Sequence, residues 1–282
     1  MVRQVSVAEN NTPQTPVEPR PAATMLLLRD HPSPAPGRAP LQVFLQRRVA
    51  QMAFAGGMTV FPGGRVDPAD VPDAERWAGP DPQEWGERMG LPAELAGAVV
   101  TAAVREVFEE TGVLLAGPPG GQPGSLTSQA PLWRKRLTEH STTLAQVLVD
   151  SGYVLRSDLL RTWARWVTPP VEPRRYDTVF LVAVLPAGQE ADAQTTEAVE
   201  ADWWYPAEAL EAHADGRMAL MAPTLVSLRD LTGFATAAAV LAGCAARDMT
   251  AVHPLHRRAA DGAFEVVLAD GSVHPLPRST SA

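Results

Sequence analysis

The stretch Arg105-Glu106-Val107-Phe108-Glu109-Glu110-Thr111-Gly112-Val113 places three glutamates at positions i, i+3 and i+4. On an α-helix these positions share one face. Like charges at that spacing repel, so the helix gains nothing from them on its own. A divalent cation is the simplest partner that turns the repulsion into a site. Acidic residues at this spacing also occur on many solvated helices, so the context matters. Here an arginine precedes the run, Thr-Gly follows it, and Phe61-Pro62-Gly63-Gly64 lies upstream. Together the two segments read as a metal-dependent hydrolase of phosphate anhydrides.

Working outward, residues 96–111 read as a helix, and Gly112 fits the left-handed residue that ends it. Short apolar runs at 22–28, 41–46 and 58–61 read as strands, with Pro62-Gly63-Gly64 as a tight turn. Residues 67–95 are rich in Pro, Asp, Glu and Trp. They read as an inserted surface element with a short helix at 83–89. Residues 132–150 read as one amphipathic helix, and 158–166 as another short helix. The nearly continuous apolar run at 178–185 reads as a buried strand. A short strand follows at 200–205, then helices at 206–214 and within 224–244. Asp270-Gly271 signals a hairpin turn near the end. Strands and helices in this order suit a mixed sheet between helices. The expected domains are a disordered tail at 1–20, a main domain at 21–230 and a small extension at 231–282.

Composition limits the partners. The 282-residue chain is 45% hydrophobic, ample for a core, and carries 24 basic against 32 acidic residues. A net charge of -8 argues against generic nucleic-acid binding, which needs a basic surface. Cys244 is the only cysteine, which excludes an internal disulfide and a cysteine-based zinc site. No apolar run resembles a signal peptide or a membrane span. The expectation is a soluble, cytoplasmic protein with no membrane or nucleic-acid partner; a homodimer is compatible with it. Lys135 is the only lysine and isoleucine is absent, a bias that points to a GC-rich, bacterial genome.

A hard cation such as Mg²⁺ or Mn²⁺ takes oxygen ligands. Glu106, Glu109 and Glu110 offer several from one helix face. A backbone carbonyl at Gly63-Gly64 can complete the set, because glycine lets the backbone approach closely. The planar fork of Arg105 can hold a carboxylate in place.

Residues 105–113 resemble the second half of the Nudix box, G-x5-E-x7-R-E-U-x-E-E-x-G-U, with U a bulky aliphatic residue. Every specified position from Arg105 onward matches. The first half departs from the pattern. Counting from Gly64 puts Asp70 where the box has glutamate, and 34 residues, 71–104, replace the seven-residue spacer. Glu94 is the other carboxylate available for that role. Such an interruption is similar to that of a Nudix branch including the mammalian peroxisomal coenzyme A diphosphatase. The resemblance extends to Ala22-Ala23-Thr24, Leu45-Gln46-Arg47-Arg48, Trp166-Val167-Thr168-Pro169 and Arg174-Arg175-Tyr176-Asp177-Thr178. It covers about residues 20–230.

The resemblance implies an α/β/α sandwich with a mixed sheet and an extra helical insertion. It implies hydrolysis of a nucleoside diphosphate linked to another moiety, a small-molecule substrate. Glu106, Glu109 and Glu110 would bind the metal, helped by the Gly63 carbonyl. A glutamate in a later loop would activate water, with Glu197 and Glu200 as candidates. Arg47, Arg48, Arg174 and Arg175 are candidate phosphate contacts, with salt bridging or solvation as the plain alternative. Residues 57–64 match the end of a coenzyme A hydrolase signature, G-x3-F-P-G-G, but its other parts are absent or blurred. Coenzyme A or acyl-coenzyme A, ADP-ribose and dinucleotides therefore all stay open as substrates. The alternative function is a catalytically inactive ligand-sensing or partner-binding domain on the same fold.

Overall fold

Met25 to Leu28 is apolar at every position, the pattern of a strand buried on both faces. In the computed structural model it forms the centre of β1 (Arg20–Asp30). The structure describes residues 16–51, 55–124, 126–194, 198–258, 264–267, 271 and 273–275. The main sheet continues with β2 (Leu41–Arg48), β3 (Thr59–Val60) and β4 (Gly63–Arg65). The insertion then supplies β5 (Trp77–Ala78) and α1 (Pro82–Met89), and α2 (Ala93–Thr111) carries the acidic run. After it come β6 (Ala116–Gly117), α3 (Ala130–Thr138), α4 (Leu144–Ser151) and β7 (Val154–Arg156). The sheet is completed by β8 (Arg161–Val167), β9 (Tyr176–Val184) and β10 (Ala198–Trp204). Three helices follow, α5 (Pro206–Ala214), α6 (Ala222–Leu231) and α7 (Ala237–Gly243), then β11 (Leu255–Arg258), β12 (Phe264–Val267) and β13 (Val273–Pro275).

The main sheet runs β10-β2-β1-β9-β8, with β3 on β2 and β4 on β1. β1 and β9 are parallel and the other pairs antiparallel, so the sheet is mixed. Alternation along the strands sorts their side chains to two faces. Met25, Leu27 and Phe44 join the core under α2. Leu26, Leu28, Val43 and Leu45 join a second core under α5, α6 and α7. The architecture is the expected α/β/α sandwich.

The insertion docks on α2 and leaves the sheet intact. Asp81 and Glu84 form a capping box that starts α1, and Gly90 at φ 64° ends it. Trp85 and Met89 are fully buried in the α2-side core. Gly97 of α2 permits the close approach: a Cβ there would lie 2.8 Å from Pro72 Cγ. Trp77–Ala78 pairs with β7, which also pairs with β6, making a small second sheet.

Several expectations need correction. Residues 132–150 form two helices, α3 and α4, because the chain turns at His140, which adopts φ 52°. Residues 161–167 form a strand, not a helix. Pairing with β9 and burial of Trp163 and Trp166 override local helix propensity. Gly63-Gly64 is part of a strand paired with β1, not a free turn. At the start of the C-terminal segment, Leu231, Ala237, Val240 and Cys244 are buried in the second core. The Ala237 N–H also donates to Asp30 Oδ1 at 2.8 Å. The expected hairpin appears as β12 and β13, while Asp270 of its turn lies outside the described residues. No helix among the described residues is long and apolar enough to cross a membrane.

Candidate active site

The acidic face of α2 meets β4 and the loop that opens the insertion. Arg105 is the hub. Its Nε donates to Asp70 Oδ1 at 2.8 Å and its Nη2 to Asp70 Oδ2 at 2.9 Å, a two-pronged fork. Nη2 also reaches the Arg65 carbonyl at 3.0 Å. Nη1 donates to Glu106 Oε1 at 2.8 Å and to Glu109 Oε1 at 3.3 Å. The cluster is enclosed: the side chains of Arg105 and Asp70 are only 11% and 2% exposed. Burial alone would lower the Arg105 pKa. The Asp70 hydrogen bond and the charges of Glu106, Asp70 and Glu109 outweigh it and hold the guanidinium charged.

Asp70 is therefore the carboxylate that partners the arginine. Its own position is set by the Asp67 N–H, which donates to Oδ2 at 2.8 Å. Glu94 sits exposed in the first turn of α2, about three helical turns from Arg105. The 34 residues between Asp70 and Arg105 close into α1 and the start of α2, so the two ends meet as if the insertion were absent.

The two glycines of β4 fit the glutamates. Gly63, at φ 154°, has its backbone so close to β1 that a Cβ would lie 2.3 Å from the Ala23 carbonyl oxygen. Its N–H donates to Glu110 Oε2 at 2.7 Å. A Cβ on Gly64 would lie 2.4 Å from Glu106 Oε1. Gln46 of β2 adds a second donor to Glu110 Oε2, also at 2.7 Å. Glu110 is 3% exposed. Burial pushes the Glu109 carboxyl above the usual range, against the lowering pull of Arg105 and of His140.

Four carboxylates, Asp70, Glu106, Glu109 and Glu110, thus share this patch with one guanidinium. Buried negative charge in such excess is unfavourable without a further cation. Among the described residues, no three acidic, His or Cys side chains converge in a ready-made metal cage. The reason is visible: Glu106 and Glu109 turn toward Arg105, and Glu110 toward Gly63 and Gln46. By chemistry the donors fit a hard divalent ion, since all are carboxylate oxygens beside a backbone that glycine brings close.

The other candidate residues lie elsewhere. Glu200 stands opposite Arg47 across the β10–β2 pair, and the two form an exposed ion pair at 3.3 Å. Arg47 is one residue past Gln46 on β2, so it points to the α5 face, away from the acidic cluster. Both line a small cavity of about 100 Å³ with Trp204 and Arg217. Glu197 lies outside the described residues. Arg48 follows on β2, its N–H bonded to the Met58 carbonyl at 3.0 Å. Arg175 braces the loop before β9, donating to the Thr168 carbonyl at 2.9 Å and the Val17 carbonyl at 2.7 Å. Arg174, beside it, is exposed. Sequence reasoning missed Gln46 as part of the site, although it stands in the quoted Leu45-Gln46-Arg47-Arg48; nothing in its type marks it before the partner is known.

Comparison with known proteins identifies the family. The family model for the NUDT19 Nudix domain matches residues 78–231, more than half of the chain. The chain is 28% identical to the chicken acyl-coenzyme A diphosphatase NUDT19, over 92% of this chain and 78% of that protein. It is 28% identical to the human acyl-coenzyme A diphosphatase NUDT19, over 87% of this chain and 72% of that one. The crystal structure of a Nudix hydrolase from Alicyclobacillus acidocaldarius superposes with a TM-score of 0.65 at 27% identity, covering 80% of this chain and 96% of that one. The matched segment begins inside the insertion, so the family assignment does not rest on Gly63, Gly64 or Asp70. The structure ties those three residues to the matched helix independently, and the chain belongs to the NUDT19 branch of the Nudix hydrolase family.

Proposed function

We propose that this protein hydrolyses the diphosphate linkage of a nucleoside diphosphate joined to another group, with acyl-coenzyme A or coenzyme A as the leading substrate class. The observation that carries the reading is the enclosed patch in which Asp70, Glu106 and Glu109 surround one guanidinium, with Glu110 beside them on the Gly63 N–H and Gly64 fitted against Glu106. The names of the chicken and human relatives support the substrate class. Glu106, Glu109 and Glu110 would hold Mg²⁺ or Mn²⁺, with the Gly63 carbonyl as a further ligand. When bound, the cation neutralises the diphosphate and lowers the pKa of the attacking water. Arg105, fixed by Asp70, orients Glu106 and Glu109. Water adds across the P–O–P link and two phosphate monoesters leave. Glu197 stays the candidate base; Glu200, engaged with Arg47 on the other face, receives no chemical role here. Arg174, exposed in the loop before β9, is a candidate phosphate contact. A cytoplasmic setting and a bacterial source belong to this reading on composition alone.

The test is nucleotide release from acyl-coenzyme A, coenzyme A, ADP-ribose and NADH with Mg²⁺ or Mn²⁺. Glu109→Gln and Glu110→Gln should each lower kcat by about 10²-fold or more, the scale of losing a key electrostatic group. Inactivity across the whole panel, or unchanged rates in both variants, would sink the assignment. One observation favours a second reading, a ligand sensor on the same fold: Glu106 and Glu109 are already engaged by Arg105. Thermal stabilisation by a nucleotide without turnover selects that reading.

A further inference from the structure

We infer that Gln46 is a positioning residue for the metal site: it fixes the carboxylate of Glu110, and so sets metal affinity. The inference rests on the reading of Glu110 as a metal ligand.

Two donors converge on one oxygen. Gln46 Nε2 and the Gly63 N–H each lie 2.7 Å from Glu110 Oε2. Hydrogen bonds to an ionised oxygen are short and strong, and two of them hold the plane of the carboxylate. Both donors come from one rigid platform. Gln46 pairs with Ala201 of β10 on one side and Val60 of β3 on the other. Gly63 follows Val60 by three residues, so the same pairing that places Gln46 also places the Gly63 N–H. Sites built on strands are held more tightly than sites on loops.

The orientation of the amide is forced as well. An ionised carboxylate only accepts, so the NH₂ end of Gln46 must face Glu110. This leaves Gln46 Oε1 pointing elsewhere, enclosed and with no hydrogen-bond partner among the described residues. Gln46 is 1% exposed. A buried acceptor without a donor is costly. An unbranched apolar side chain of similar length, such as Met, would fill the place without that cost. The donor end of the amide serves the Glu110 carboxylate, and that bond is what an apolar residue in this place would lack.

The test is Mn²⁺ binding to the full-length protein without substrate, by calorimetry, with kcat and KM measured alongside as functions of Mn²⁺ concentration. Gln46→Met should fold and bind Mn²⁺ at least about 10-fold more weakly, as outer-shell changes at metal sites do. Its kcat should recover as Mn²⁺ is raised, while KM for the organic substrate stays put; a purely structural role would produce neither effect. Gln46→Asn keeps the amide but withdraws it by one methylene, so it should lose Mn²⁺ affinity too, and it decides the matter if Gln46→Met fails to fold. Unchanged Mn²⁺ affinity in a folded variant, beside normal wild-type binding, overturns the role of Gln46 and leaves the metal site standing. Absence of Mn²⁺ binding by the wild type overturns the metal site itself, and this inference with it.

Discussion

Two arginine–carboxylate clusters occupy opposite faces of one sheet. On the α2 face, Arg105 and Asp70 are 11% and 2% exposed and joined by a two-pronged hydrogen bond. On the α5 face, Arg47 and Glu200 are 52% and 60% exposed and meet at 3.3 Å. In the sequence both looked like chemistry. Burial separates them: charges out of water interact strongly and are held in one geometry, whereas solvated pairs are screened and mobile. The strand alternation that sends Gln46 to one face sends its neighbour Arg47 to the other.

The contrast can be broken from its strongest point downward. Arg105→Leu removes the single cation from among three carboxylates. It should cost about 3–5 kcal/mol in urea unfolding, the scale for breaking a buried pair. A loss below about 1 kcal/mol would show that Asp70, Glu106 and Glu109 do not depend on it. Gly64→Ala drives a methyl into the Glu106 carboxylate, 2.4 Å away, with no strain from a positive φ. Glu106 must swing aside, so Mn²⁺ affinity should fall by about 10-fold or more with the fold retained. Wild-type Mn²⁺ affinity would mean that Glu106 does not bind the ion where it stands.

Asp70→Asn keeps the shape of the fork but removes its charge, and should cost about 1–3 kcal/mol. Glu94→Gln, at an exposed site, should stay within about 0.5 kcal/mol. The reverse order would hand the role of the first box carboxylate to Glu94. The smallest effects belong to the α5 face. Arg47→Gln and Glu200→Gln should each shift stability by no more than about 1 kcal/mol, less at high salt, and leave kcat alone. A large loss of kcat in Glu200→Gln would restore it as the base.

What could be read in advance followed the reach of local rules. The helix of α2 and its end at Gly112 follow from helix spacing and the left-handed cap, with the Gly112 N–H bonded to the Phe108 carbonyl. The helix at Pro206–Ala214 was legible too. Local rules failed where tertiary partners decide. Nothing in 161–167 announces a strand except the partner β9, across which it pairs from Arg161 to Val167. Nothing in 132–150 announces a break except the turn at His140.

The sequence by itself determined the chemistry on offer. Three glutamates at one helical face, an arginine before them and two glycines upstream name the donors, because helix periodicity is a local property. Only the tertiary structure decided which groups meet. Asp70 reaches Arg105 because the insertion folds back on α2 and brings together residues 35 apart in the chain. Gln46 reaches Glu110 across 64 residues because α2 packs over β1 and β4, on the sheet face to which Gln46 of the neighbouring β2 points. Glu200 is turned away because its strand pairs with β2 in a register that aims it at Arg47. Such contacts depend on register and packing across the whole sheet, and no spacing along the chain encodes them.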